Sequence, residues 1–151
     1  MSALAAIRPD SWNLPLLLHV GGAMILVGAT LTGASALAFA RGNVRLVRLG
    51  YWTLLTVGVP GWVLMYVGAN WIYSKEGLDD APIGSAWTAI GFVVAEAGGL
   101  LFLVSLVAGG LGVRRLREGN GARLLTATML ISLVLLAAYV VAVWAMSAKP
   151  D

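Results

Sequence analysis

Two ionisable side chains stand inside long apolar stretches of this chain. Glu96 lies within the run Trp87 to Val113, and His19 within the run Leu14 to Ala40. A lone ionised carboxylate in hydrocarbon costs on the order of a few kcal/mol, so at such a position it is protonated, paired or beside water, and each option turns it toward protein. Glu96 is nine residues past Trp87 and His19 seven past Trp12. At about 1.5 Å per residue these are depths of about 13 Å and about 10 Å along a helix, so the two groups fall in one layer if the helices tilt alike. Trp62, nine residues before Trp71, reaches a similar depth, and Tyr66 follows one turn later. The expectation is a polar intramembrane pocket made by His19, Glu96, Trp62 and Tyr66. Such a pocket suits proton relay, cation coordination or contact with a polar ligand. The plainer arrangement is a single His–Glu hydrogen bond closing an apolar core, with a neutral Glu96 acting as packing glue.

Composition removes much other chemistry. The chain has no cysteine and one histidine. Disulfides, thiolate metal sites, iron–sulfur clusters, covalent haem and cysteine nucleophiles are therefore excluded, as is an HExxH zinc site. A Ser-His-Asp hydrolase would need His19 as its base, and no GxSxG is present. Gly109-Gly110-Leu111-Gly112 has a phosphate-loop look but no Lys-Ser/Thr after it, and reads as a flexible helix end. No catalytic set is expected, and the reading is of a protein that is not an enzyme.

The elements that must position these residues are membrane spans. The sequence is 60% hydrophobic and 11% charged, far from the roughly 45–50% and 25% of soluble domains. Four apolar runs predict helices over about 14–40, 49–73, 86–113 and 124–146. Runs this long satisfy their backbone in lipid only as helices, and the short alternating segments of a transmembrane β-barrel are missing. The fold expected is an all-α, four-helix transmembrane bundle occupying residues 1–151 as one integral membrane domain. Ala36, Ala38 and Ala40 before Arg41 imitate a signal cleavage site, but the run already has spanning length and is read as retained. Pro60 frees the Thr56 carbonyl and predicts a kink in the second helix.

Charge orients the bundle. The first and third connections carry Arg41, Arg45, Arg48, Arg114, Arg115, Arg117 and Arg123 against Glu118 alone, while the second, Ser74 to Ile83, is acidic. By the positive-inside rule the basic turns are cytoplasmic and both termini face outward, which places the chain in the inner or plasma membrane. Trp12, Trp71, Trp87 and Trp144 then form an outer aromatic belt, with Tyr51 and Trp52 inside. The arginines are topology signals first and can also grip lipid headgroups. Nucleic-acid binding would need a reading module that is absent. The two basic turns echo each other as RGNVRLVRL and REGNGARLL, a match too short to establish a tandem hairpin duplication. Small residues recur as Gly91, Ala95, Gly99 and as Ala29, Gly33, a spacing that serves close packing inside the bundle rather than an oligomer contact.

The stretch LPLLLHVGGAMILVG, with its early histidine followed by glycines, resembles the opening helix of copper-resistance-D-like and related four-helix integral membrane families. The resemblance covers one helix of the four. It implies haem or copper involvement, with only His19 transferable as a ligand and a second ligand supplied from outside the chain, as by a dimer. The leading functional expectation is a small structural or accessory membrane bundle, alone, as a homo-oligomer or within a larger complex. The alternatives are a proton- or cation-coupled transport element using Glu96 and His19, and a haem- or copper-binding redox protein.

Overall fold

The structure is a computed structural model and describes residues 10–75, 77 and 85–149, the Arg117 side chain excepted. Its elements in chain order are α1 (Asn13–Phe39), α2 (Val44–Thr53), α3 (Val59–Lys75), α4 (Ala86–Arg115) and α5 (Ala122–Ala148). Short 3₁₀ turns at Asp10–Trp12 and Leu116–Glu118 extend α1 and α4, and a π-turn at Leu54–Gly58 fuses α2 to α3. Four helices of 27 to 32 residues result, all long and apolar enough to cross a membrane. The acidic connection lies mostly outside the described residues, as do residues 1–9 with Arg8.

The second span starts earlier than its apolar run. Val44 to Arg48 is helical rather than turn, because the Asn43 side chain caps the helix by accepting from the amides of Arg45 and Leu46 at 3.0 and 3.4 Å. Such a cap satisfies amides that have no partner within the helix. Arg45 and Arg48 therefore ride on α2. The reversal before it is made by Arg41 and Gly42, with φ of 40° and 85°, values that glycine adopts freely and arginine under strain. Proline acts differently in its two helices. Pro15 sits in the first turn of α1, where its missing N–H has no helical partner to lose. Pro60 lies just inside α3, and the expected disturbance takes the form of the π-turn immediately before it, a device that re-registers the backbone ahead of the missing donor.

α1 packs along α3, α4 along α5, and α1 also along α5, so the two hairpins close around α1. α3 and α4 meet mainly through long side chains. The core holds Leu26, Leu54, Phe102, Leu106, Leu135 and Tyr139, with Trp62 and Met65 packed against it. Close backbone approach and interhelical hydrogen bonds help to hold helices this apolar together. A Cβ on Gly22 would run into the Met65 backbone and one on Gly68 into the His19 backbone, so glycine sets the α1–α3 distance. Thr30, Ser105, Thr128 and Ser132 are fully buried, and each donates to a backbone carbonyl. Thr128 also reaches across to the Ser105 carbonyl on α4, at 3.2 Å.

The small-residue spacing works inside the bundle. Gly91 faces Met146 of α5 and Gly99 faces Trp62 of α3. Gly109, Gly110 and Gly112 do not form a helix end. They lie within continuous α4, where a Cβ would meet Tyr51 at positions 109 and 110 and Leu125 at position 112. Flexibility is not their role; they admit neighbouring side chains.

Candidate functional site

The expected pocket residues all approach α3, from two directions. From α1, His19 Nδ1 lies 3.1 Å from the Met65 carbonyl oxygen. A carbonyl only accepts, so Nδ1 carries the hydrogen of this contact. Gly68, one helical turn beyond Met65, receives the α1 backbone at Pro15 and His19 and so fixes the ring's starting point. From α4, Glu96 Oε1 accepts from the Tyr66 hydroxyl at 2.9 Å. Tyr66 in turn stacks on Trp62, with ring centroids 5.7 Å apart and planes at 29°.

The α3–α4 seam has three antiparallel layers. Trp62 rests against Gly99, Tyr66 against Glu96, and Tyr73 against Phe92, the last an edge-to-face pair with centroids 5.2 Å apart. A Cβ at Gly99 would lie 3.0 Å from Trp62 Nε1, so the indole would have to give by a few tenths of an ångström. That indole nitrogen is buried and has no hydrogen-bond partner. The Tyr139 hydroxyl, on α5 in the same core, is also buried and unpartnered.

His19 and Glu96 are not joined. Among the described residues no hydrogen bond or ion pair links them, and each holds a different group on α3. Depth counted along a sequence gives height and leaves azimuth open, and here α1 and α4 take different flanks of α3. Glu96 also departs from the expectation that it points into the bundle, for its side chain is exposed at the edge of the seam. The reason lies in its neighbours. Gly98 faces Leu135 of α5 and Gly99 faces Trp62 of α3, and successive helical residues turn by about 100°, so residue 96 falls on the free side next to α3.

Sequence reading missed Tyr139, whose one signal was a hydroxyl-bearing ring amid aliphatic residues. It also missed the Thr128 bridge to α4, because serine and threonine in helices usually bond within their own helix.

At the opposite end, Ala40, Val47 and Leu125 form a small cluster with Leu37, Leu46, Val113 and Leu116. It brings the two basic turns together. Arg41, Arg45, Arg48, Arg114, Arg115 and Arg123 are all exposed there. At the other end the Lys149 ammonium stands 5.3 Å from the ring centroid of Trp87, a cation–π contact. Trp71 and Trp144 are exposed as well, and so is Trp52.

Among the described residues no group of three or more His, Cys, Asp or Glu is placed to hold a metal ion. The one histidine could offer haem or copper its Nε2 atom. No protein-family model, curated protein or solved structure matches the chain.

Proposed function

We propose that this chain is an integral protein of the inner or plasma membrane, a non-enzymatic structural or accessory bundle that acts by packing against other helices in the bilayer. The observation that carries this reading is the position of Glu96. It lies at membrane depth in α4, on the outer side of the bundle, with one hydrogen bond to Tyr66. Acidic groups in spans almost always face protein or water, so a surface that presents one is a surface built to be covered. The remaining polar side chains within the spans bond mostly to carbonyls of their own or adjacent helices, an arrangement suited to holding shape. Convergence of the arginine turns at one end supports the cytoplasmic placement of that end, with both chain termini outward. The test is fractionation followed by reconstitution. The protein should stay with membranes through an alkaline carbonate wash, leave only with detergent, and give liposomes no proton or cation leak. Release by carbonate would overturn the membrane reading.

One observation favours a second reading, a proton- or cation-coupled transport element using Glu96 and His19. Their partners, Met65 and Tyr66, are consecutive residues of α3, so displacement of that helix would change both bonds together. Ion-driven flux in liposomes, abolished by Glu96→Gln, would decide for it. A haem- or copper-binding redox role would use His19 Nε2. A Soret band or stoichiometric copper in detergent-purified protein, lost in His19→Ala, reads that role directly.

A further inference from the structure

Tyr51 marks the place where the second span meets α4 at the arginine end. Its ring lies along two consecutive glycines: a Cβ at Gly109 would stand 2.8 Å from its Cδ2, and one at Gly110 would stand 2.8 Å from its hydroxyl oxygen. The hydroxyl is thus the end of the ring nearer Arg114. Arg114 follows Gly110 by four residues on α4, and Arg48 precedes Tyr51 by three on α2, spacings that keep each arginine on the face of the contact. Because the second span and α4 are antiparallel, both steps lead toward the same end. Arg48 and Arg114 therefore flank the seam at one level, one turn beyond the tyrosine. Both are exposed, and among the described residues neither side chain has an ion pair or a hydrogen bond. Glu118 is the one carboxylate of the two basic turns, against seven arginines.

We infer that Arg48 and Arg114 form a site for the phosphate of an anionic phospholipid, with the Tyr51 hydroxyl as a further donor and an acyl chain lying along Trp52. The inference rests on the membrane reading above. Charge complementarity names the headgroup. Two guanidinium forks bind phosphate oxygens in pairs, and the surplus of arginine attracts a lipid of net negative charge over a zwitterionic one. Position names the source as lipid rather than a soluble anion. Arg45, Arg48, Trp52 and Thr56 stand at helical spacing along the second span and are all exposed, so one stripe passes from cations through an interfacial tryptophan into the apolar part of the span. The Thr56 hydroxyl is already satisfied by the Trp52 carbonyl at 2.8 Å, which leaves no unmet donor there against an acyl chain. A soluble acidic partner would meet the arginines and gain nothing from the rest of the stripe.

The test is a lipid titration of protein purified in mild detergent, with the melting temperature as the measure of binding. Short-chain phosphatidylglycerol should raise it at concentrations about tenfold below those that short-chain phosphatidylcholine requires. Arg48→Gln combined with Arg114→Gln should abolish that preference. Arg115→Gln combined with Arg123→Gln removes the same charge from outside the seam and should keep most of it. Arg48→Lys combined with Arg114→Lys keeps the charge and loses the paired geometry, so affinity should fall several-fold. Helical content by circular dichroism confirms that each variant is folded. Equal losses in the two glutamine double variants would reduce the effect to diffuse charge and overturn the site. An equal rise with inorganic phosphate or a poly-glutamate peptide would give the arginines to a soluble anion and overturn it too. A protein that resists carbonate yet shows no preference for phosphatidylglycerol would refute the site and leave the membrane bundle standing.

Discussion

The hydroxyl of Tyr66 donates to Oε1 of Glu96 across 2.9 Å, the one side-chain to side-chain hydrogen bond that joins α3 to α4 among the described residues. It ties together two helices whose backbones otherwise stay apart, and it holds the carboxyl group at the rim of the bundle.

That bond should be measurable as a coupling. Tyr66→Phe and Glu96→Leu each remove one partner, and their double-mutant cycle, read from thermal unfolding in detergent, should give roughly 0.6–1.7 kcal/mol, the range for interhelical hydrogen bonds in membrane proteins. Strict additivity would mean the pair contributes nothing.

Glycine positions should divide sharply. At Gly68 an added methyl meets the backbone of His19 and the Pro15 carbonyl, which cannot rotate away, whereas at Gly21 nothing lies within 4 Å. Gly68→Ala is expected to cost about 1–3 kcal/mol by forcing α1 and α3 apart. Gly21→Ala should be neutral or stabilising by up to about 1 kcal/mol through helix propensity. Melting temperatures of the two variants check this.

Tyr139 carries a buried hydroxyl with no acceptor, while its ring belongs to the central core. Tyr139→Phe keeps the ring and removes the unmet donor, so it should raise stability by about 1 kcal/mol. A fall in melting temperature would reveal that the hydroxyl has a partner in the membrane-embedded protein.

Thr128 stands within hydrogen-bond distance of its own helix at Leu124 and of the Ser105 carbonyl on α4. Thr128→Val, close in shape, should destabilise the protein by about 0.5–1.5 kcal/mol, and Thr128→Ser should restore most of the loss.

Sidedness can be read by labelling. In intact cells a membrane-impermeant maleimide should modify Ser147→Cys and spare Asn120→Cys, which lies beside the arginine turns. The reverse pattern would invert the orientation.

The spans were legible because an apolar run long enough to cross a bilayer has few other uses in a chain of this composition. Boundaries failed where a polar residue took a backbone role. Asn43 turned an arginine-rich turn into the start of α2, and Arg114 and Arg115 remained helical past the last apolar residue. Heights were legible only to about one helical turn: counting set Trp62 level with Glu96, whereas Trp62 meets Gly99 and Tyr66 meets Glu96. Azimuth was not. Whether His19 turns to Glu96 or to a carbonyl depends on which flank of α3 each neighbour takes, and that choice is made by Gly22, Gly68 and Gly99, whose contacts lie far away in sequence.

α1 packs against both α3 and α5, and Leu26 shares its cluster with Leu135 and Tyr139 from the opposite end of the chain. One face of α1 is therefore matched only once α5, the last of the described helices, has been made. Without α5 the bundle would leave that face of α1 open to whichever other helix arrives first.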